Sequence, residues 1–104
     1  MYKNLRRTSA SVILTLSILA GYQCQSNDRL VTGKEIYKVY CVNCHGADGK
    51  LAFNKALDLS VSRLPLEGRK EIIRNGRMTM SGYSGVLSEA QIDSVAQYTI
   101  QLQE

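Results

Sequence analysis

Six consecutive residues, Cys41-Val42-Asn43-Cys44-His45-Gly46, bring two thiols and an imidazole into one short turn of chain. Two cysteines three residues apart, with a histidine directly after the second, form the attachment pattern of a c-type haem. In that chemistry the thiols of Cys41 and Cys44 add across the two vinyl groups of the porphyrin, and the imidazole of His45 binds the iron from one face. The opposite face then needs its own donor. There is no second histidine, which excludes bis-histidine ligation in a monomer, and the downstream candidates are the thioethers of Met78 and Met80. A thioether is soft and a weak σ-donor, so it favours ferrous over ferric iron and raises the reduction potential relative to a second imidazole.

Helical patterns surround these residues. Thr32-Gly33-Lys34-Glu35 fits a capping box, so a helix should start there and run to about Cys41, with Ile36, Tyr37 and Tyr40 forming an apolar stripe. Gly46 to Lys50 is rich in turn formers. The span 51–63 reads as loop with one helical turn, its apolar residues Leu51, Phe53, Leu57 and Leu59 walling the haem. Pro65 before Leu66, and Gly76 after Asn75, bracket a second helix with Ile72 and Ile73 inward. Ser88-Glu89-Ala90-Gln91 is a second capping box, with Ile92, Val95, Ala96, Thr99 and Leu102 at helical spacing beyond it. No run alternates with period two, so the expected fold is all-α: three main helices and loops packed around one cofactor.

The chain begins with what reads as an address. Lys3, Arg6 and Arg7 precede a short apolar run from Val12 to Gly21, less than the about 20 residues a comfortable membrane crossing needs. Residues 1–23 are therefore expected to be an export signal. Cys24 comes soon after Leu19-Ala20-Gly21, as in a bacterial lipoprotein signal whose cysteine becomes the lipidated first residue; Tyr22 and Gln23 depart from the small residues usual there. The alternatives are a free thiol beyond a cleavage site or an uncut weak anchor. Residues 24–31 read as a short tether and 32–104 as the haem domain, in a periplasmic or cell-envelope setting.

Charge supports this division. The whole chain has 13 Lys+Arg against 9 Asp+Glu. The three leader bases have no acid beside them, so residues 24–104 carry 10 bases and 9 acids, a balance of +1. That is too little for a nucleic-acid partner, which needs a clustered basic face. With two cysteines for haem and one at the leader boundary, no disulfide framework is left over. A domain of this size buries only about 60–65% of its unfolded surface, so a covalently held cofactor would complete its core.

From Gly33 to Leu102 the sequence resembles the small class I monohaem cytochromes c. In that family the first helix carries a glycine and an aromatic residue four on, matched by Gly33 and Tyr37, and the C-terminal helix that crosses it presents an aromatic residue, matched by Tyr98. Many relatives place the axial methionine in Met-Pro-x-aromatic, with Gly and a Leu-Ser helix start after it. Met80-Ser81-Gly82-Tyr83 and Gly85-Val86-Leu87-Ser88 keep that order, and the register favours Met80 over Met78. Ser81 stands where the proline would be, which implies a less rigid loop and a more easily displaced iron–sulfur bond. Leu57 stands where relatives commonly have a proline whose carbonyl accepts from the proximal imidazole, a bond that a leucine carbonyl can also make.

The resemblance implies one covalently bound haem c, ligation by His45 and Met80, and one-electron transfer between redox partner proteins rather than enzymatic turnover, in a monomer. Membrane association would come through Cys24. The exposed haem edge near Cys41 and Cys44 would meet the partner, with Lys50, Lys55, Arg63 and Arg77 close to it, either steering docking or merely solvated. Other readings use the same residues. A labile methionine would make a gas- or peroxide-reactive haem or a subunit of a larger oxidoreductase; the Cys-x-x-Cys pair also serves thiol–disulfide oxidoreductases; and Cys41, Cys44 and His45 are three of the four donors of a structural zinc site.

Overall fold

The computed structural model describes residues 29–104, and the expected export signal, Cys24 and most of the tether lie outside them. The first helix, α1 (Gly33–Tyr40), starts where its capping box is written: the Thr32 hydroxyl accepts from the Glu35 amide, and the Glu35 carboxylate accepts from the Thr32 amide at 3.0 Å. A capping residue of this kind stabilises a helix by about 1 kcal/mol. A second short helix, α2 (Val42–His45), comes next across Cys41, and one 3-10 turn, Phe53–Lys55, interrupts the loop beyond it. Helix α3 (Leu66–Asn75) begins after Pro65 and stops at Gly76, whose φ is 78°. The last helix, α4 (Glu89–Gln101), is held by the Ser88/Gln91 box.

The core lies where α4 packs on α1 and α3. Ile36, Tyr37, Ile92, Val95 and Ala96 are all but inaccessible, with Ile73 and Leu87 closing the cluster. Burying an apolar side chain of this size is worth roughly 1.5–3 kcal/mol, so the stripe on α1 and its counterpart on α4 supply much of the drive to fold. The crossing is close because position 33 has no side chain. A Cβ on Gly33 would sit 2.1 Å from the Ser94 carbonyl oxygen and 2.9 Å from Cβ of Tyr98. Tyr37 and Tyr98 then meet across the crossing, ring centroids 5.2 Å apart.

One departure from the expected all-helical pattern is small. Strands β1 (Gly76–Arg77) and β2 (Met80–Ser81) pair antiparallel, with Gly76 opposite Ser81 and Arg77 opposite Met80. Two residues per strand are too few to leave a periodic signature. No helix among the described residues is long and apolar enough to cross a membrane.

Candidate haem site

The cysteine–histidine motif is a helical turn. Cys41 ends α1, donating its amide to the Tyr37 carbonyl at 2.9 Å, and also opens α2, its own carbonyl accepting from the His45 amide at 2.9 Å. Cys41 and Cys44 are therefore three apart on a helical surface, where such residues are neighbours. Both thiols are half-buried and unbridged, and Cys41 packs against the core cluster. Burial, with the second thiol nearby, pushes the Cys41 thiol up to about 12.

His45 is oriented from outside the motif. Its Nδ1 lies 3.1 Å from the carbonyl oxygen of Leu57. A carbonyl can only accept, so Nδ1 carries the proton and Nε2 is left with a free lone pair. Burial holds the imidazole below its usual pKa, against the opposing pull of the Leu57 bond, and so favours the neutral, ligating form.

The two methionines occupy different surroundings. Met80 is half-buried in β2 and packs against the core cluster, whereas Met78 is 91% exposed with a positive φ of 53° at the turn between the strands. Gly76 is what lets the loop close: a Cβ there would meet the Met80 carbonyl oxygen at 2.5 Å. Between the methionines, the Thr79 hydroxyl donates to the carbonyl of Asn54 at 3.0 Å. The segment that orients His45 and the segment that carries Met80 are thus clasped together. Ser81, standing where a proline was expected, is paired in β2, so the loop has restraints the sequence did not announce.

Two half-buried thiols on one helical turn, a neutral imidazole with Nε2 available and a half-buried thioether on a separate loop form a donor set that fits haem c. Residues 28–98 match the profile of the family described as cytochrome C oxidase, cbb3-type, subunit III. The chain belongs to the cytochrome c family. It is 30% identical over 83 residues to a cytochrome c6-like protein of Nostoc sp. strain PCC 7120, with 74% of each chain covered. Among solved structures, cytochrome c6C of Synechococcus sp. PCC 7002 superposes with a TM-score of 0.58 at 26% identity, over 66% of this chain and 90% of that one. Cytochrome c6 of the diatom Phaeodactylum tricornutum shares the fold with the same TM-score at 23% identity, over 66% of this chain and 87% of that one. A small monohaem cytochrome of this class binds haem c covalently.

Tyrosines frame the site in this cytochrome. The Tyr37 hydroxyl donates to the Gly46 carbonyl at 2.7 Å, securing the residue after His45. The Tyr83 hydroxyl donates to the Tyr40 carbonyl at 3.2 Å, and the rings of Tyr40 and Tyr83 meet edge to face at 5.6 Å. The aromatic residue three beyond Met80 thereby ties the methionine loop to the end of α1. Burial raises the pKa of both Tyr37 and Tyr83, so both stay protonated donors.

Of the cations expected near the haem edge, Lys50 is committed to an ion pair with Glu104 at the far end of the chain. Lys55, Arg63 and Arg77 are exposed and take no part in the ion pairs of the described residues. Leu51, Phe53 and Leu57 are 48%, 62% and 68% exposed, an apolar stretch that the protein itself does not cover, whereas Leu59 packs on the core.

The rival uses of the motif do not fit this geometry. A disulfide oxidoreductase needs a depressed thiol pKa at the first cysteine, and burial moves Cys41 the other way. A structural zinc site needs four donors, and no group of three or more His, Cys, Asp or Glu side chains among the described residues is arranged to hold a metal ion.

Proposed function

We propose that this cytochrome is a one-electron carrier in which Cys41 and Cys44 would hold the haem through thioether bonds, and His45, through Nε2, and Met80 would ligate its iron. The observation that carries the reading is the His45 Nδ1 to Leu57 carbonyl bond, which fixes the tautomer that a proximal ligand needs. The half-buried position of Met80, against the exposed one of Met78, favours Met80 as the second ligand. Bound there, haem c supplies the one-electron ferric/ferrous couple. The polypeptide supplies fixed ligands. Cys41 and Met80 pack on the core, and Tyr37, Tyr83 and Thr79 each tie a ligand-bearing segment to a backbone carbonyl, so little rearrangement accompanies the change of charge.

The test is direct. Protein matured with haem should keep a mass gain of one haem after denaturation, and both Cys41→Ser and Cys44→Ser should weaken that retention. Prompt carbon monoxide binding by the reduced protein at neutral pH would instead favour a gas-reactive haem over a carrier.

The proposal extends to the leader, with export through residues 1–23 and a lipid on Cys24 holding the domain at a membrane surface, close to its redox partners. The mass of the purified N-terminus decides this: a diacylated cysteine at position 24 supports it, and cleavage elsewhere overturns it. A second reading, a haem subunit of a larger oxidoreductase, is favoured by the family profile, whose description names an oxidase subunit. Migration of the native protein in detergent as a large assembly would establish that reading over the free carrier.

A further inference from the structure

Helix α3 buries a charge that no carboxylate side chain among the described residues pairs with. Arg69 keeps 4% of its surface. Its Nε donates to the Leu64 carbonyl at 2.8 Å, one terminal nitrogen to the Ser62 carbonyl at 2.9 Å, and the other to the Thr99 hydroxyl at 3.0 Å. All three acceptors are neutral. The ion pairs of the described residues join Lys50, Lys70 and Arg74 to their carboxylates, and none includes Arg69. Burial alone moves its pKa, downward, and no neighbouring carboxylate opposes the shift. A guanidinium stays protonated even so.

An enclosed ion without a counterion is costly, and an apolar residue of similar volume is often as stable or more so. Position 69 lies one helical turn before the buried Ile73, on the face that meets α4, where a leucine would complete an apolar row. The hydrogen bonds to the 62–64 segment could be made by a neutral donor. The charge is what local structure leaves unexplained.

Its location relates it to the ligands. Helix α3 leads straight into β1, where Gly76 pairs with Ser81 beside Met80. Seven residues at 1.5 Å each set Arg69 about 10 Å along the helix axis from that pairing. Ile73, between the two, belongs to the cluster against which both Met80 and Cys41 pack. We propose that Arg69 sets the reduction potential, its unpaired buried charge disfavouring the ferric state at a site bracketed by His45 and Met80. This role rests on the haem-carrier reading. As a general scale, a unit charge about 12 Å from a redox centre, in a medium of effective dielectric about 20, changes a one-electron equilibrium roughly tenfold.

The experiment is an equilibrium redox titration of the haem-loaded protein, monitored by visible absorption, with urea unfolding of each variant alongside. Arg69→Leu and Arg69→Gln should each lower the ferrous-to-ferric ratio at fixed applied potential about tenfold, a midpoint fall of about 60 mV. Arg69→Lys, which keeps the charge and loses the fork of hydrogen bonds, should stay near the parent. A fourth variant, Thr99→Asp, keeps the arginine and sets a carboxylate beside it; its midpoint should fall as well, which keeps the test decisive if the neutral variants fail to fold. Unshifted midpoints in the neutral variants or in Thr99→Asp would overturn the proposal. An equal fall in Leu, Gln and Lys would also overturn it, since lost hydrogen bonds would then be the cause. A parent protein with no reversible one-electron couple overturns the carrier reading and this role together, whereas a parent with the couple and unshifted variants overturns the Arg69 role alone.

Discussion

Nδ1 of His45 donates to the carbonyl of Leu57 across twelve residues of chain, at 3.1 Å. The acceptor belongs to the backbone, so the identity of residue 57 is free so long as the loop holds its path. That path is secured from the other side. The 3-10 turn next to it accepts from Thr79, one residue before Met80, and both segments contain residues at positive φ: Asn54 and Lys55 on one side, Met78 on the other.

The clasp should govern how tightly Met80 is held. Thr79→Val removes the donor of that bond and keeps the shape of the side chain. Losing about 1 kcal/mol of restraint should lower the pH at which the far-red methionine–iron band disappears by on the order of one unit. Thr79→Ser should retain the parent value. An identical pH profile for the valine variant would show that the clasp does not hold the ligand.

Gly33→Ala tests the helix crossing. The added methyl meets backbone of α4 at 2.1 Å, which cannot turn aside as a side chain would, so the helices must separate and the Tyr37–Tyr98 contact loosens. Urea unfolding of the haem-loaded protein should show a loss of about 1–3 kcal/mol or more. A variant as stable as the parent would mean that the crossing can shift at no cost.

Much of this fold was legible because its signals are local. Both capping boxes lie within four residues, and the stripes on α1 and α4 recur at helical spacing, so those helices start where the sequence says. The resemblance pointed to Gly33, Tyr37, Leu57 and Tyr98, and the contacts they make join segments far apart in sequence. What escaped was either too short or too distant. The ladder at Met80 has two residues per strand, and the turn through Cys41 and His45 is a four-residue helix. The Thr79–Asn54 and Lys50–Glu104 contacts span 25 and 54 residues, with no periodicity to announce them. Arg69 reads as a surface residue by type and is buried by its place on α3.

Acid stability should depend on Asp58, whose carboxylate accepts from the amide and the hydroxyl of Ser60 at 2.8 and 2.6 Å. Those bonds hold its pKa below the usual carboxylate value. With the folded value below the unfolded one, the stabilisation is present above the unfolded pKa near 4 and is lost as pH falls through the folded value. The melting temperatures of the parent and Asp58→Asn should therefore differ by a constant amount at neutral pH and converge below about pH 4. A gap that stays open at low pH would exclude the ionised carboxylate as its source.

Docking should depend more on Lys55 than on Lys50, because Lys50 already faces the Glu104 carboxylate. Lys55→Glu is expected to slow reduction by an acidic redox partner several-fold at low salt, with the effect fading as ionic strength rises. Lys50→Glu should have the larger effect on stability, since it sets two carboxylates together. Equal, salt-independent rates for parent and Lys55→Glu would remove this residue from the docking surface.

The ligand assignment is tested most directly by the far-red absorption band of the ferric, haem-loaded protein, recorded for the parent, Met80→Ala and Met78→Ala. The band should be present in the parent and in Met78→Ala and absent from Met80→Ala, whose midpoint potential should also fall. A band that survives in Met80→Ala and disappears in Met78→Ala would contradict the assignment of Met80 as the second protein ligand.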